Sequence, residues 1–453
     1  MGKSSIKKIV VALGTIFFCC IALRAETIKI ETAGTLKDLV GDKQTTIVEL
    51  TLSGFVNGTD VGCIRGMSAL KVLDMKQCTM VAGGDPYAFN TVTSDNWISA
   101  WMFYQMENID QIILPDNVVG IADAAFWECS AKSVTIPEGV VSIGDSFRSA
   151  GLTAVHIPAT VKSIGDYCFW QNYHLEEVTF AVNSQLRTIG RTAFAECESL
   201  LNIEIPEMVE TIEYTCFQNC RKLLAAYIPP KVKVVGSAAF SGCTQLESVN
   251  LPEGIEIIER GAFASCSKLT EITLPSSLVT IGDTIGSGSS DGVFYGTGIR
   301  KITIPEHVSM LGTGTFCSCP DLVEVSLPDG LTFLADELFQ WSDKLQHVNI
   351  PKSLKKIKYN AFYGCNSWAD AIEIPEGVTE IGLGAFSGCS SIPSVTLPEG
   401  LLIIDHSAFS SCTSLEFINI PSTVRFIGNA FSGCSNLVSS LVIPEGITSL
   451  AYD

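Results

Sequence analysis

Phe240 and Phe263 stand 23 residues apart, and nearly every residue type between them returns up and down the chain. Phenylalanine recurs at 103, 126, 147, 169, 194, 217, 240, 263, 294, 316, 339, 362, 386, 409 and 431, in steps mostly of 22 to 24 residues with one of 31. Three residues after it comes a cysteine, then a leucine, then Val/Ile-x-Leu/Ile-Pro, then Val/Ile-x-x-Ile-Gly, then the next Ala-Phe. A period of this length in a long chain means stacked supersecondary units. A chain of 453 residues would otherwise be read as two or three domains. Stacked repeats bury their apolar faces against their neighbours, so one core grows along one axis. With 47% apolar and 17% charged residues the chain is core-rich and not disordered.

Each repeat carries a legible local code. In Leu246-Glu-Ser-Val249-Asn-Leu251-Pro252, Val249 and Leu251 alternate with Ser248 and Asn250, the period of a strand with one buried face. Pro252 lacks an N–H for the ladder and ends the strand, and Gly254 aids the turn. Ile255 and Ile258 point inward from a second short stretch. Ala262-Phe263 is expected in a single helical or 3₁₀ turn, its ring filling the space between the two sides. The proline recurs at 115, 137, 158, 206, 229, 252, 275, 305, 328, 351, 375, 398, 421 and 444. The gap in that series falls at Phe180-Ala181, in a repeat that carries two extra residues.

The ends differ from the middle. Lys3, Lys7 and Lys8, the apolar run Ile9 to Leu23, and Leu23-Arg24-Ala25 read residues 1–25 as a cleavable signal peptide. The apolar run is shorter than the ~20 residues a membrane span requires. Phe17 and Phe18 before Cys19 and Cys20 are too bulky for a lipidation signal. Cleavage removes Lys3, Lys7, Lys8 and Arg24 and no acid, leaving 25 basic against 48 acidic residues, a net charge of −23. That balance argues against nucleic acid and anionic membrane as partners. Residues 26–100 do not follow the repeat. Thr46 to Leu52 alternates like a strand ending at Gly54, Thr59 to Met67 fits a short helix with Asn57 or Thr59 at its N-cap, and 82–98 reads as a loop. Leu70-Lys-Val-Leu73-Asp-Met75-Lys-Gln-Cys78 fits the general leucine-rich repeat pattern, so this segment is expected to be an N-terminal cap with one degenerate repeat. At the other end, only Ala451, Tyr452 and Asp453 follow the repeat containing Ile443, Ile447 and Leu450. That final repeat, 431–450, is expected to fray or to be buried by an end-to-end contact.

The run Gly382-Leu-Gly-Ala-Phe386-Ser-Gly-Cys389-Ser-Ser-Ile392-Pro-Ser-Val395-Thr-Leu397-Pro398-Glu-Gly-Leu401 resembles the BspA-like leucine-rich repeat family nearly letter by letter. The likeness covers about 350 residues, all at core and turn positions. It implies a leucine-rich repeat solenoid of about 15 repeats of ~23 residues over 101–453, built of short parallel strands, turns and short helical turns. It also implies a bacterial protein, secreted or at the cell surface, associated with adhesion and host-protein binding. No site residue comes with the resemblance, because the shared motif contains none.

The residues that could carry chemistry each have a plainer explanation. Ten cysteines occupy the third position after phenylalanine, but Ala150, Asn172, Thr297 and Ser342 hold the same place elsewhere, so small size is the expected requirement and buried thiols the expected state. Cys63 and Cys78 lie outside that column and could bond to each other. There is no C-x-x-C pair, and the five histidines fall in different repeats, so no zinc site is expected. No catalytic triad, H-E-x-x-H, P-loop or strand-to-helix G-x-G-x-x-G occurs. The Gly/Ser-rich run 282–298 has no lysine and no following helix, and is expected to loop out as an insertion. Acids after the proline, such as Glu253 and Glu399, form a solvated edge interrupted by Ala159, Pro230, Ser276, Lys352 and Ser422, a poor cage for calcium. No cofactor and no enzymatic activity are expected.

The outward strand positions are the candidate binding face. The column two before the proline supplies Thr135, His156, Thr179, Tyr227, Asn250, Thr273, Thr303, Asn349, Thr396 and Asn419, and the column four before it supplies Lys301, His347 and Phe417. Tyr227 and Phe417 are the anchors, since exposed aromatic side chains often dominate interfaces. The expected partners are extracellular proteins, with glycans as the alternative ligand and a structural spacer as the alternative role.

Overall fold

The computed structural model describes residues 24–283, 291–437, 442–447 and 449–450. Most of the expected signal segment (1–23), part of the Gly/Ser-rich run (284–290) and the closing residues 451–453 lie outside the described residues. Most repeats contribute two strands. A front strand of two to four residues ends just before the proline, and a back strand of two residues ends at the isoleucine before the glycine. Equivalent strands pair in parallel and in register, as in Asn202–Glu204 with Ala225–Tyr227 on the front and Val234–Val235 with Ile257–Ile258 on the back. The register is fixed because a one-residue slip would turn Ala226 and Val249 outward. Many surface ion pairs follow the same period, joining Lys301 to Glu324 and Lys356 to Glu380 across adjacent repeats.

Between the two faces runs the phenylalanine column. From Phe103 to Phe409 every ring is buried, and neighbouring rings stack along the whole column to Phe431 with centroids 4.6–5.9 Å apart and planes within 24° of parallel. Burying one such side chain stabilises by about 1.5–3 kcal/mol, repeated in every rung. The turn that delivers the ring is not the expected helical or 3₁₀ turn. Around Phe240, Ala238 and Gly242 both adopt left-handed backbone, at φ 54° and 75°, and equivalent residues do so in most repeats. The reason is a third ladder. The alternation turns the N–H groups of Ala238, Phe240 and Gly242 toward the next repeat, where they donate to the carbonyls of Arg260, Ala262 and Ala264 at 2.8–2.9 Å. A helical turn would spend those donors within its own repeat.

The cysteine column is a donor column as well as a small-residue column, which corrects the expectation that size alone sets it. The thiol of Cys243 donates to the carbonyl of Phe217 at 3.2 Å, and Cys197, Cys220, Cys266, Cys319, Cys365, Cys389, Cys412 and Cys434 each reach the phenylalanine carbonyl of the preceding repeat at 3.0–3.3 Å. Asn172 and Ser342 make the same bond to Phe147 and Phe316, both at 2.7 Å. None of the described cysteines forms a disulfide, Cys63 and Cys78 included, and all but Cys434 are buried. Burial pushes the thiols of Cys129, Cys319 and Cys389 up to about 12.

Residues 25–100 join the same stack. Strands β1 (Ala25–Ile30), β2 (Glu49–Val56) and β3 (Val72–Met80) pair in parallel with one another and then with the front strand Gln111–Ile113. Helix α1 (Leu36–Val40) lies between β1 and β2 in sequence, and α2 (Gly58–Arg65) between β2 and β3. Asn57 is the N-cap of α2, as one of the two expected caps, with a reciprocal box through Asp60. Asp60 is buried and accepts from the backbone N–H groups of Gly34, Leu36 and Asn57 at 2.7–3.0 Å, which binds the two loops together. Two expectations fail here. The strand does not end at Gly54 but passes through it at φ 91°, since only glycine fits where a Cβ would lie 2.1 Å from the carbonyl oxygen of Ile30. Residues 82–98 are not simply a loop: Gly83–Ala88 and Thr91–Thr93 form an antiparallel hairpin, and Trp97–Ile98 starts the back sheet. At the other end Ile443 is 47% exposed, where its counterpart Leu397 is 3% exposed.

Candidate binding surfaces

The stacking that builds the core also lines up the outward positions. Thr135, His156, Thr179, Tyr227, Asn250, Thr273, Lys301, Thr303, His347, Asn349, Thr396 and Phe417 are exposed, and Asn419 is half-buried. They stand in columns along the front sheet, except that Thr273 lies in no strand, the ladder pausing between Asn250 and Lys301, and that Asn349 and Asn419 lie just past the ends of theirs. The three asparagines also serve the fold. Asn250 accepts from the N–H of Ile228 and donates to its carbonyl at 2.8 and 3.0 Å, Asn349 does the same with Leu327, and Asn419 with Leu397. Each amide stands in for a missing strand partner, so its hydrogen-bonding capacity is spent on the backbone. His156 meets Thr179 at 2.9 Å, Lys301 meets Glu324 at 2.7 Å, and His347 meets Asp370 at 2.8 Å. Such exposed pairs contribute little to stability and leave the face open to a competing partner. The large apolar surfaces on this face are Tyr227 and Phe417, 43% and 51% exposed.

The irregular repeat at Phe180-Ala181 interrupts both ladders. The front strands Glu177–Phe180 and Asn202–Glu204 belong to different sheets, as do the back strands Thr188–Ile189 and Thr211–Ile212. The two extra residues push Val182 out to 85% exposure. Beside them opens a cleft of about 780 Å³ lined by Lys162, Phe180, Asn183, Arg187, Glu204 and Tyr227, among others. Tyr227 therefore stands at the edge of a concavity, whereas Phe417 stands on an open strand. The missing proline was the sequence signal for this cleft, although it did not disclose a cavity.

A second surface was missed altogether. On the turn ridge, the residue after phenylalanine is Tyr104, Trp127, Arg148 and Trp170 in four successive repeats. The Arg148 guanidinium lies 5.1 Å from the Trp127 ring and 4.2 Å from the Trp170 ring, a cation stacked between two indoles. Trp101 extends the row, 5.4 Å from Trp127 and 4.6 Å from the exposed Phe89. Trp101 and Tyr167 carry their side chains on left-handed backbone, φ 62° and 56°, at the turn position where other repeats place Gly261, Gly314 and Gly384. That conformation costs a non-glycine residue about 1–2 kcal/mol. The dipeptides Phe103-Tyr104, Phe126-Trp127, Phe147-Arg148 and Phe169-Trp170 were the available signal.

Among the described residues no cluster of three or more His, Cys, Asp or Glu is placed to hold a metal ion, and no helix is long and apolar enough to cross a membrane. Parallel ladders and a buried ring column define a leucine-rich repeat solenoid. The family described as BspA type leucine rich repeat region matches residues 96–223, 179–291, 287–371 and 369–453, and the chain belongs to it. A solved leucine-rich repeat protein from Bacteroides ovatus is 26% identical, over 76% of this chain and 86% of that one, with a TM-score of 0.56. A leucine rich cell surface protein from Faecalibacterium prausnitzii is 26% identical over 82% of this chain and 94% of that one, with a TM-score of 0.47. The leucine rich repeat protein of T. pallidum is 29% identical over 38% of this chain and 78% of that one, with a TM-score of 0.33. Among curated protein sequences no match was found.

Proposed function

We propose that this chain is an exported, non-catalytic scaffold that binds protein partners at the cell surface through its front strand face. The observation that carries the reading is the exposure of Tyr227 and Phe417 on a sheet face whose other candidate outward residues are polar. An outward aromatic ring has no core to fill there, and aromatic anchors dominate binding energy at interfaces. The Tyr227 side is the stronger of the two, because the adjoining cleft gives a partner side chain somewhere to insert. Family membership and the cell-surface relative support the location, as do the apolar run and basic start of residues 1–25. The test is a pull-down with the chain from Glu26 onward against extracellular-matrix proteins and mucin glycans. Tyr227→Ala should lower capture of a protein partner at least tenfold without shifting the unfolding midpoint. Capture that is unchanged by Tyr227→Ala and Phe417→Ala together would remove the strand face from the mechanism.

A further inference from the structure

We propose that the aromatic ridge on the first repeats, from Phe89 to Tyr173, is a docking site for a cationic, proline-rich segment of a partner protein in extended polyproline II form. This surface lies on the turn side of the solenoid and is separate from the strand face.

The repeats themselves show that the fold does not demand these rings. The place held by Tyr104, Trp127, Arg148 and Trp170 is taken by Ala195, Gln218, Ser241 and Ala264 in the next four repeats, with the same turn and the same stacked phenylalanine beside it. Phe89, Tyr167 and Tyr173 remain 67%, 42% and 44% exposed. Clustered apolar rings left in solvent, at places the fold fills with small residues elsewhere, mark a surface for contacts made outside the chain.

Geometry selects the occupant. Rings stand at 53° and 84° to one another in Phe89–Trp101 and Trp101–Tyr104, so the ridge presents ring faces and edges at differing angles and not the flat plate that the face of a sugar would stack upon. Proline rings pack against tilted aromatic rings of this kind, and a polyproline II segment arrives already ordered. Its period fits as well. Three residues at about 3.1 Å each advance by roughly the distance of two repeats at about 4.8 Å. Trp127 and Trp170 lie two repeats apart, so one face of such a helix can meet both.

Charge sets the rest. Glu128 and Glu196 flank the rings, each held by a neighbouring glutamine, Gln105 at 2.8 Å and Gln171 at 3.2 Å. Arg148 is committed to the two indoles. In a chain of net charge −19, this favours a basic partner segment over an acidic one.

The experiment titrates the chain from Glu26 onward, by tryptophan fluorescence and calorimetry, with an oligoproline peptide flanked by arginines. A Gly/Ser peptide of equal length and charge and a set of neutral β-linked oligosaccharides serve as comparisons. The oligoproline peptide should bind saturably, more weakly as salt rises, and at least tenfold more weakly to Trp127→Ala/Trp170→Ala. Tyr167→Gly keeps the test sound if the double variant folds poorly: it relieves the backbone, so it should unfold no earlier than the parent and still bind the peptide more weakly. Equal binding of the Gly/Ser peptide would reduce the site to bulk charge and overturn the proposal. Binding of an oligosaccharide in place of the peptide would overturn it too, as would an affinity unmoved by both variants.

Discussion

Phe240→Ala removes a ring from the middle of the column, and the structure sets the size of the effect. The side chain is fully buried and stacks on Phe217 at 5.3 Å and on Phe263 at 5.6 Å. Lost transfer energy and the remaining cavity cost about 3–5 kcal/mol. The cavity cannot collapse readily, because three backbone ladders hold the walls at repeat spacing, so the upper half of that range is expected. The effect should also split the array. Stability in a solenoid is a sum of repeat and nearest-neighbour terms, so a central defect uncouples the repeats on either side. In guanidinium unfolding followed by circular dichroism, the variant should show a lower midpoint and a shallower or two-step transition. Phe431→Ala is the internal comparison. Phe431 is half-buried and stacks on Phe409 at 5.8 Å, so its loss should cost about half as much and leave the main transition nearly as steep. Equal shifts in the two variants, or a Phe240→Ala midpoint unchanged from the parent, would refute the ring column as the core of the fold.

Alkaline pH should unfold the protein steeply, because thiols such as Cys129, Cys319 and Cys389 are held near 12 when folded and titrate from about 9.0 once unfolded. The folded pKa is the higher one, so this contribution is intact below pH 9 and lost as pH rises toward 12. Each such thiol removes about 1.4 kcal/mol per pH unit in that window, and a denaturation midpoint as high at pH 10.5 as at pH 8 would contradict the buried-thiol assignment. In the folded protein a maleimide should label Cys434 first, because it alone among the described cysteines is half-buried and not buried. The remaining cysteines should react only in guanidinium, which mass spectrometry after timed labelling can show. Cys243→Ser should be tolerated to within about 1 kcal/mol because it keeps a donor for the Phe217 carbonyl, whereas Cys243→Val should cost more by removing it. Asn349→Ala should cost about 1–2 kcal/mol by freeing the N–H and carbonyl of Leu327, and a variant of unchanged stability but impaired binding would return Asn349 to the binding face.

The fold was legible because every buried contact is made by a residue type that recurs at one spacing. Val249, Leu251, Pro252 and Phe263 need no tertiary information beyond the next repeat, so periodicity alone assigned strand, stop and core. Legibility failed wherever the determinant was a hydrogen bond across repeats. The turn carrying the phenylalanine was expected to be helical or 3₁₀, yet at Phe240 three N–H groups find carbonyls in the following repeat and the backbone is left-handed at Ala238 and Gly242. The cysteine column looked like a size requirement, since Ala150 belongs to it, and only the geometry shows Asn172 and Ser342 donating where the thiols donate. Asn250, Asn349 and Asn419 looked like surface polarity and are strand mimics. In each case a side chain turned back to the backbone, a choice that residue identity does not announce.

A repeat protein supplies its own comparison set, and function should be sought where a repeat departs from the others without a structural need. By that reasoning the candidate face divides unevenly. Thr135, Thr179, Thr303 and Thr396 are what any outward strand position would hold, and they say nothing about a ligand. Tyr227 departs from its column and also borders the one repeat with two extra residues and no proline. Tyr104, Trp127, Arg148 and Trp170 depart together, in consecutive rungs, and then stop at Ala195. A run of departures that begins and ends within four repeats has the length of a binding site and not of a folding rule. The two surfaces meet the chain within overlapping repeats, since the ridge ends at Tyr173 and the cleft begins with Lys162 and Phe180. Exchanging the four repeats from Phe103 to Phe194 for four copies of the Phe240–Phe263 repeat should therefore leave the ladders standing, abolish binding at the ridge and weaken capture at the Tyr227 cleft, which loses the wall that holds Lys162, Phe180 and Arg187. A chimera that folds and still captures every partner would place the binding determinants in the later repeats, with Tyr227 and Phe417 the first residues to examine.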